Sequence, residues 1–164
     1  MSHSFIRIDF ATVDDIHIIK KFILDIAEYE KLSHMVKTTE ENLKHYLFGS
    51  HKYAECLIAR IDEKPIGFAL FHPTFSTFEG KPGIHLEDLF VLKEFRGKGA
   101  GKALLQRLAK ITIDRGFKRL EWIVLDWNKP SIDFYDSIGS KAKKEWILYR
   151  FDGGSLQSFA NSSD

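Results

Sequence analysis

Arg96-Gly97-Lys98-Gly99-Ala100-Gly101 directly follows the apolar run Leu86-Glu87-Asp88-Leu89-Phe90-Val91-Leu92 and opens a helical pattern that continues to about Arg115. A strand that turns through glycines into a helix gathers free backbone N–H groups at one point, together with the positive end of the helix dipole. A phosphate or pyrophosphate suits that point. Three close glycines also make a plain turn, since glycine adopts φ > 0 at little steric cost. Two familiar phosphate loops fail by position. A P-loop needs G-x-x-x-x-G-K-[ST]; reading back from Gly101-Lys102 puts Arg96 where its first glycine belongs and Ala103 where its hydroxyl belongs. A dinucleotide fingerprint needs G-x-G-x-x-G; Gly97 and Gly99 fit, but Lys102 takes the third position.

What fits is R-G-x-G-x-G after a strand. With it comes Asp126-Trp127-Asn128-Lys129-Pro130-Ser131-Ile132-Asp133-Phe134-Tyr135, which reads W-N-x-P-S-x-x-F-Y. The first motif resembles the acyl-CoA pyrophosphate loop of the GNAT superfamily of N-acetyltransferases. The second resembles the diamine (spermidine/spermine) branch of that superfamily, as do Leu86-Glu87-Asp88-Leu89-Phe90, Tyr29-Glu30 and Trp146. The resemblance runs from about Ile6 to Phe151. Phe75 to Lys81 and Leu125 to Asn128 lean toward the thialysine-acetylating relatives.

The resemblance implies acetyl-CoA as co-substrate and a primary amine as acceptor, with direct attack and no acyl-enzyme. A free amine has a pKa of ~10.4 and must lose a proton before attacking. Glu87, at the strand end nearest the loop, is the implied acceptor of that proton; it also fits as an ordinary strand carboxylate paired with a lysine. Main-chain N–H groups near Leu89, Phe90 and Val91 are implied to hold the acetyl carbonyl, their side chains being core. Arg96, Gly97, Lys98, Gly99, Ala100, Gly101 and Lys102 form the implied pyrophosphate loop. Tyr135 matches the general acid that protonates the departing thiolate, and equally suits packing beside Phe134. Asn128, Lys129, Pro130 and Ser131 match cofactor-contacting positions, though Asn128 and Ser131 are also good helix caps. Lys129 and Ala100 depart from the commoner family residues. Tyr29, Glu30, Glu87 and Asp88 match positions that meet the amine, and their carboxylates suit a cation.

The elements that must place these residues follow from pattern. Phe5–Phe10 alternates as a strand. Thr12 caps a helix running to about Glu30, and Thr38 with Glu41 reads as a capping box for a second helix to about Phe48. Strands follow near 53–62 and 65–75, joined at Asp62 to Pro65. A loop over 75–83 precedes a strand over 84–92. After the glycine loop comes a helix striped by Leu104, Leu108 and Ile111 and ended by Gly116. Then come a strand over 119–126, a short helix from Pro130 to about Ser137, and a late strand over 146–151. The tail from 153 adds one short helix with frayed last residues. The order β-α-α-β-β-β-α-β-α-β predicts an α/β (α+β) single domain over 1–164, its core about 5–151, with a mixed sheet. The resemblance implies a GNAT-like fold, in which that sheet is mostly antiparallel and flanked by helices.

Bulk properties narrow the class further. Lysine plus arginine number 24 against 23 aspartate plus glutamate, which gives no electrostatic reason to expect nucleic acid or an anionic membrane. The single Cys56 excludes an intramolecular disulfide and any multi-cysteine metal site. The histidines are scattered without metal spacing, so no metal is expected. No apolar stretch approaches the ~18 residues of a membrane span, and Met1 to Ser4 lacks a signal peptide's regions, so a cytoplasmic enzyme is expected. A homodimer is implied by the resemblance. The resulting expectation is an acetyl-CoA-dependent N-acetyltransferase for a diamine, polyamine or thialysine-like amino acid. A protein lysine or N-terminal acetyltransferase, a non-catalytic acyl-CoA sensor and a plain interaction domain stay open.

Overall fold

A strand persists only where its N–H and C=O groups find a neighbour, and that decides which alternating stretches become strands. The computed structural model describes residues 5–162, so Met1 to Ser4 and the last residues of the tail lie outside the described residues. β1 (Arg7–Phe10), β2 (Glu55–Ile61), β3 (Lys64–Ser76), β4 (Lys81–Val91) and β5 (Leu120–Trp122) form one sheet in that order. The first four run antiparallel, and β5 joins β4 in parallel. With α1 (Ile16–Tyr29), α2 (Glu40–Phe48), α3 (Ala100–Asp114), α4 (Lys129–Ser137) and α5 (Gly153–Ala160), this is the mixed, mostly antiparallel α/β architecture expected. No helix among the described residues is long and apolar enough to cross a membrane.

The chain divides into two compact units after Leu125. In the first, Ile19 and Phe22 of α1 and Leu43 and Leu47 of α2 pack on Cys56, Ile58, Phe68, Leu70 and Phe90 of the sheet. Phe22 stacks on Phe68 with ring centroids 5.4 Å apart. By strand alternation Leu57, Ala69 and Phe71 point to the opposite face, where α3 buries Leu104, Leu105, Leu108 and Ile111 against β2, β3 and β4. Burial also pushes the Cys56 thiol far up, so it is the inert core thiol its apolar setting suggests.

Four local expectations change. The capping box of α2 is Thr39 with Asn42, not Thr38 with Glu41: Asn42 N–H donates to Thr39 Oγ1 at 3.1 Å and Thr39 N–H donates to Asn42 Oδ1 at 3.0 Å. Lys20 Nζ donates to the Thr38 carbonyl and holds that residue outside the helix. The loop expected over 75–83 is only a short turn, because β3 and β4 keep pairing out to Ser76 and Lys81. The strand expected over 119–126 keeps a ladder only at Leu120–Trp122, opposite Ile84, His85 and Leu86. Residues 146–151 form no strand: Trp146, Ile147, Leu148, Tyr149 and Phe151 are exposed, and alternation of apolar side chains marks a capacity to pair without providing a neighbour. The second unit therefore contains α4 and α5 but no strand among its described residues.

Candidate active site

The site in the first unit is built where β4 leaves its regular ladder. Leu86 pairs with Phe71 and Asp88 with Leu70, so Glu87 is the extra residue of a β-bulge. In an unbroken strand Glu87 and Asp88 would point to opposite faces. A bulge sets two residues against one partner and re-aims the side chains. Here Asp88 stands opposite Leu70, on the face that α1 and α2 cover, while Glu87 turns toward the His72–His85 cross-strand pair on the same side. Both carboxylates thus reach one side of the sheet. Burial raises the Asp88 carboxyl to about 7, helped by the negative charges of Glu87 and Glu30. Burial also raises Glu30, the residue that closes α1.

Past Leu86 the outer edge of β4 no longer pairs with β5, since that ladder ends there. The segment Leu89–Val91 is still held on its other side by β3, through Ala69, Phe68 and Gly67. Gly67 permits a tight approach: a Cβ there would stand 2.5 Å from the Phe90 carbonyl oxygen. Phe90 is buried and Leu89 and Val91 are partly buried, so their side chains are core and their backbone is what the site can use.

The chain then makes a short turn over Lys93–Phe95 and enters the glycine segment. Gly97 and Gly99 have φ of 74° and 88°, left-handed values that a side chain strains. The Ala103 N–H donates back to the Gly99 carbonyl at 2.9 Å, so the N–H groups of Ala100, Gly101 and Lys102 precede the first α-helical bond of α3. Arg96 donates from Nε to the Val91 carbonyl at 2.8 Å, and its guanidinium lies 5.0 Å from the centre of the Tyr29 ring and 5.4 Å from that of Phe90. That stacking links the loop to the end of α1. With Lys98 and Lys102 also exposed, the segment offers free donors, a helix dipole and cationic side chains, a set that fits a pyrophosphate.

The second unit carries the other motif. Asn128 is buried and caps α4, its Oδ1 accepting from the Ser131 N–H at 3.4 Å. Pro130 lies in the first turn, as the fixed φ of proline favours. Lys129 pairs with Asp133 one turn on, at 2.7 Å. Tyr135 is half-buried on α4, its ring 5.6 Å from that of Phe134 and its carbonyl accepting from Ser140 Oγ at 2.7 Å. The first unit thus holds Tyr29, Glu30, Glu87, Asp88, Leu89–Val91 and Arg96–Lys102, and the second holds Asn128–Ser131 and Tyr135.

Sequence spacing misses His72 and His85. They are far apart in the chain, and only the β3–β4 register places their rings 5.1 Å apart, each with Nε2 near Glu87 Oε2. Extending the hairpin ladder through residues 72 and 85 is the signal that would have found them. A groove of about 350 Å³ in the first unit lies elsewhere, between Phe10, Leu47, Phe48, Lys52, Glu55, Cys56 and Arg115. None of the carboxylates or loop residues above lines it, and the Arg115–Glu55 bidentate pair at its rim is a structural bond between α3's end and β2.

Comparison with known proteins bears on this arrangement. The acetyltransferase (GNAT) family model matches residues 21–139. The chain is 35% identical to a thialysine N-epsilon-acetyltransferase of Bos taurus, over 96% of this chain and 98% of that protein. It is 31% identical to an L-ornithine N5-acetyltransferase of Arabidopsis thaliana, over 94% of this chain and 87% of that one. Among solved structures, an integron cassette protein from the mobile metagenome of V. cholerae superposes with a TM-score of 0.80 at 28% identity, covering 96% of this chain and 98% of that one.

Proposed function

Because this chain belongs to the GNAT family of acetyltransferases, we propose that it moves the acetyl group of acetyl-CoA to the terminal primary amine of a small diamine, polyamine or diamino acid, a thialysine-like amino acid above all. The observation that carries this reading is the meeting of Glu87, Asp88 and Glu30 on one side of β4, just before the glycine segment. Three carboxyl groups, two of them raised by burial, suit a small cation. The relatives' amines share that chemistry, each a terminal amine on an amino acid chain. The family match runs across the division at Leu125, which supports one N-acetyltransferase domain over the whole chain.

The reaction follows from the residues. An alkylammonium arrives with a pKa of ~10.4 and is gripped by Asp88 and Glu30, while Tyr29 borders their end of α1. Glu87, which is half exposed, accepts its proton directly or through one water. The amine lone pair then adds to the thioester carbonyl carbon. Backbone N–H groups of the Leu89–Val91 segment stabilise the resulting oxyanion, since that edge of β4 is not taken up by β5. The tetrahedral centre collapses by breaking the C–S bond, and the Tyr135 hydroxyl protonates the thiolate. Arg96–Lys102 and Asn128–Ser131 hold the CoA portion.

Thiol release from acetyl-CoA, measured with thialysine, ornithine, putrescine, spermidine and a lysine-containing peptide, tests the reading. Turnover is expected on the small amines, led by the diamino acids. Turnover on the peptide alone refutes a small-molecule acceptor. Tight acetyl-CoA binding without turnover on any amine makes the chain a sensor instead.

A further inference from the structure

His72 and His85 take no part in the steps just described, yet both converge on Glu87. Their ligand-capable atoms all lie within 4.8 Å of one another, with Glu87 Oε2 3.8 Å from His72 Nε2 and 3.7 Å from His85 Nε2. His72 Nδ1 lies 3.2 Å from the Pro73 carbonyl, which can only accept, so Nδ1 carries the hydrogen. In the neutral ring the Nε2 lone pair then faces the Glu87 carboxylate. Two electron-pair donors at that distance make no hydrogen bond and repel, unless the ring takes up a proton or a metal cation sits between them. The Nδ1–H to backbone carbonyl bond is also the support that fixes the tautomer and ring direction of metal-bound histidines.

We propose that His72, His85 and Glu87 bind one divalent transition-metal ion, with zinc the best match to two imidazoles and a carboxylate. Ligand atoms ~2.0–2.1 Å from tetrahedral zinc stand about 3.3 Å from one another, so each His–Glu separation needs to close by roughly half an ångström. The third separation, between the histidines and within 4.8 Å, needs to close by at most about 1.5 Å through side-chain rotation. All three residues sit on the β3–β4 ladder, which sets their spacing, and nitrogen-rich ligation disfavours magnesium and calcium. Glu87 is 56% exposed, which gives the ion a way in and leaves a fourth position to water. The consequence for turnover rests on the proposed function: a metal-held Glu87 cannot take the amine's proton, so the ion inhibits.

Calorimetric titration of ZnCl2 into the chelator-stripped full chain tests binding without reference to activity. One ion per chain is expected, and Co2+ in its place should give the visible bands of tetrahedral coordination. His72→Phe with His85→Phe should weaken zinc at least ~10-fold, and Glu87→Gln should weaken it too. His85→Gln alone, checked for native circular dichroism, serves if the double variant does not fold. Absence of saturable binding, or unchanged affinity in the folded histidine variants, overturns the site. Zinc should also slow thiol release, and by a smaller factor in the histidine variants than in the parent. Binding without inhibition leaves the metal site standing and counts against Glu87 as the proton acceptor.

Discussion

Asp88→Asn replaces a carboxyl held at about 7 by a neutral group of the same shape, and its effect on stability is set by that displacement. The unfolded chain releases this proton near 3.8, whereas the native protein keeps it to about 7. Between those values the native state binds more protons than the unfolded state, so raising the pH lowers stability across that window and has little further effect above it. At ~1.36 kcal/mol per pH unit, the charged Asp88 costs the native state about 4 kcal/mol once both states are ionised. Less than half of that cost is present at pH 5, because the unfolded chain is already ionised there while the native carboxyl is still protonated. The asparagine variant escapes this cost, so its advantage over the parent should grow by roughly 2 to 3 kcal/mol from pH 5 to pH 8. Urea unfolding of both proteins at the two pH values measures it, as a midpoint difference that widens by about 1 M. Comparing the pair cancels the titrating groups that do not interact with Asp88, leaving that carboxyl and its coupling to Glu87 and Glu30. A gap that stays constant from pH 5 to pH 8 would show that Asp88 is ionised in the native protein throughout, and the convergence of Glu87, Asp88 and Glu30 would lose its electrostatic basis.

Two substitutions probe the parts assigned to the other motifs. Tyr135→Phe should lower kcat by ~100-fold while acetyl-CoA affinity in calorimetry stays within about twofold; unchanged turnover removes the hydroxyl from the reaction. Gly99→Ala places a side chain at a φ of 88° and should cost roughly 1 kcal/mol in thermal unfolding together with about tenfold in CoA affinity. A variant that melts lower but binds CoA as before would move the pyrophosphate away from this turn.

Much of the molecule was legible along the chain, because the information is local. Glycines at 97 and 99 mark a turn only they enter easily, and the Leu104, Leu108 and Ile111 stripe marks the buried side of α3. Asn128 and Pro130 mark the start of α4 by capping and fixed φ. Where the local signals were ambiguous, outside contacts chose. The cap of α2 moved to Thr39 while Lys20 held the neighbouring carbonyl, and residues 146–151 kept their alternation without a ladder.

The sequence by itself thus determined the family motifs, the helices and the stretches that become the four antiparallel strands, since periodicity, caps and turn residues act within a few positions of one another. Only the tertiary structure decided that Glu87 and Asp88 share a side of the sheet and that His72 meets His85 beside them. Both outcomes depend on strand register. A single bulged residue at Glu87 reverses the alternation of its neighbours, and register is a property of two strands together that neither strand's residues carry alone.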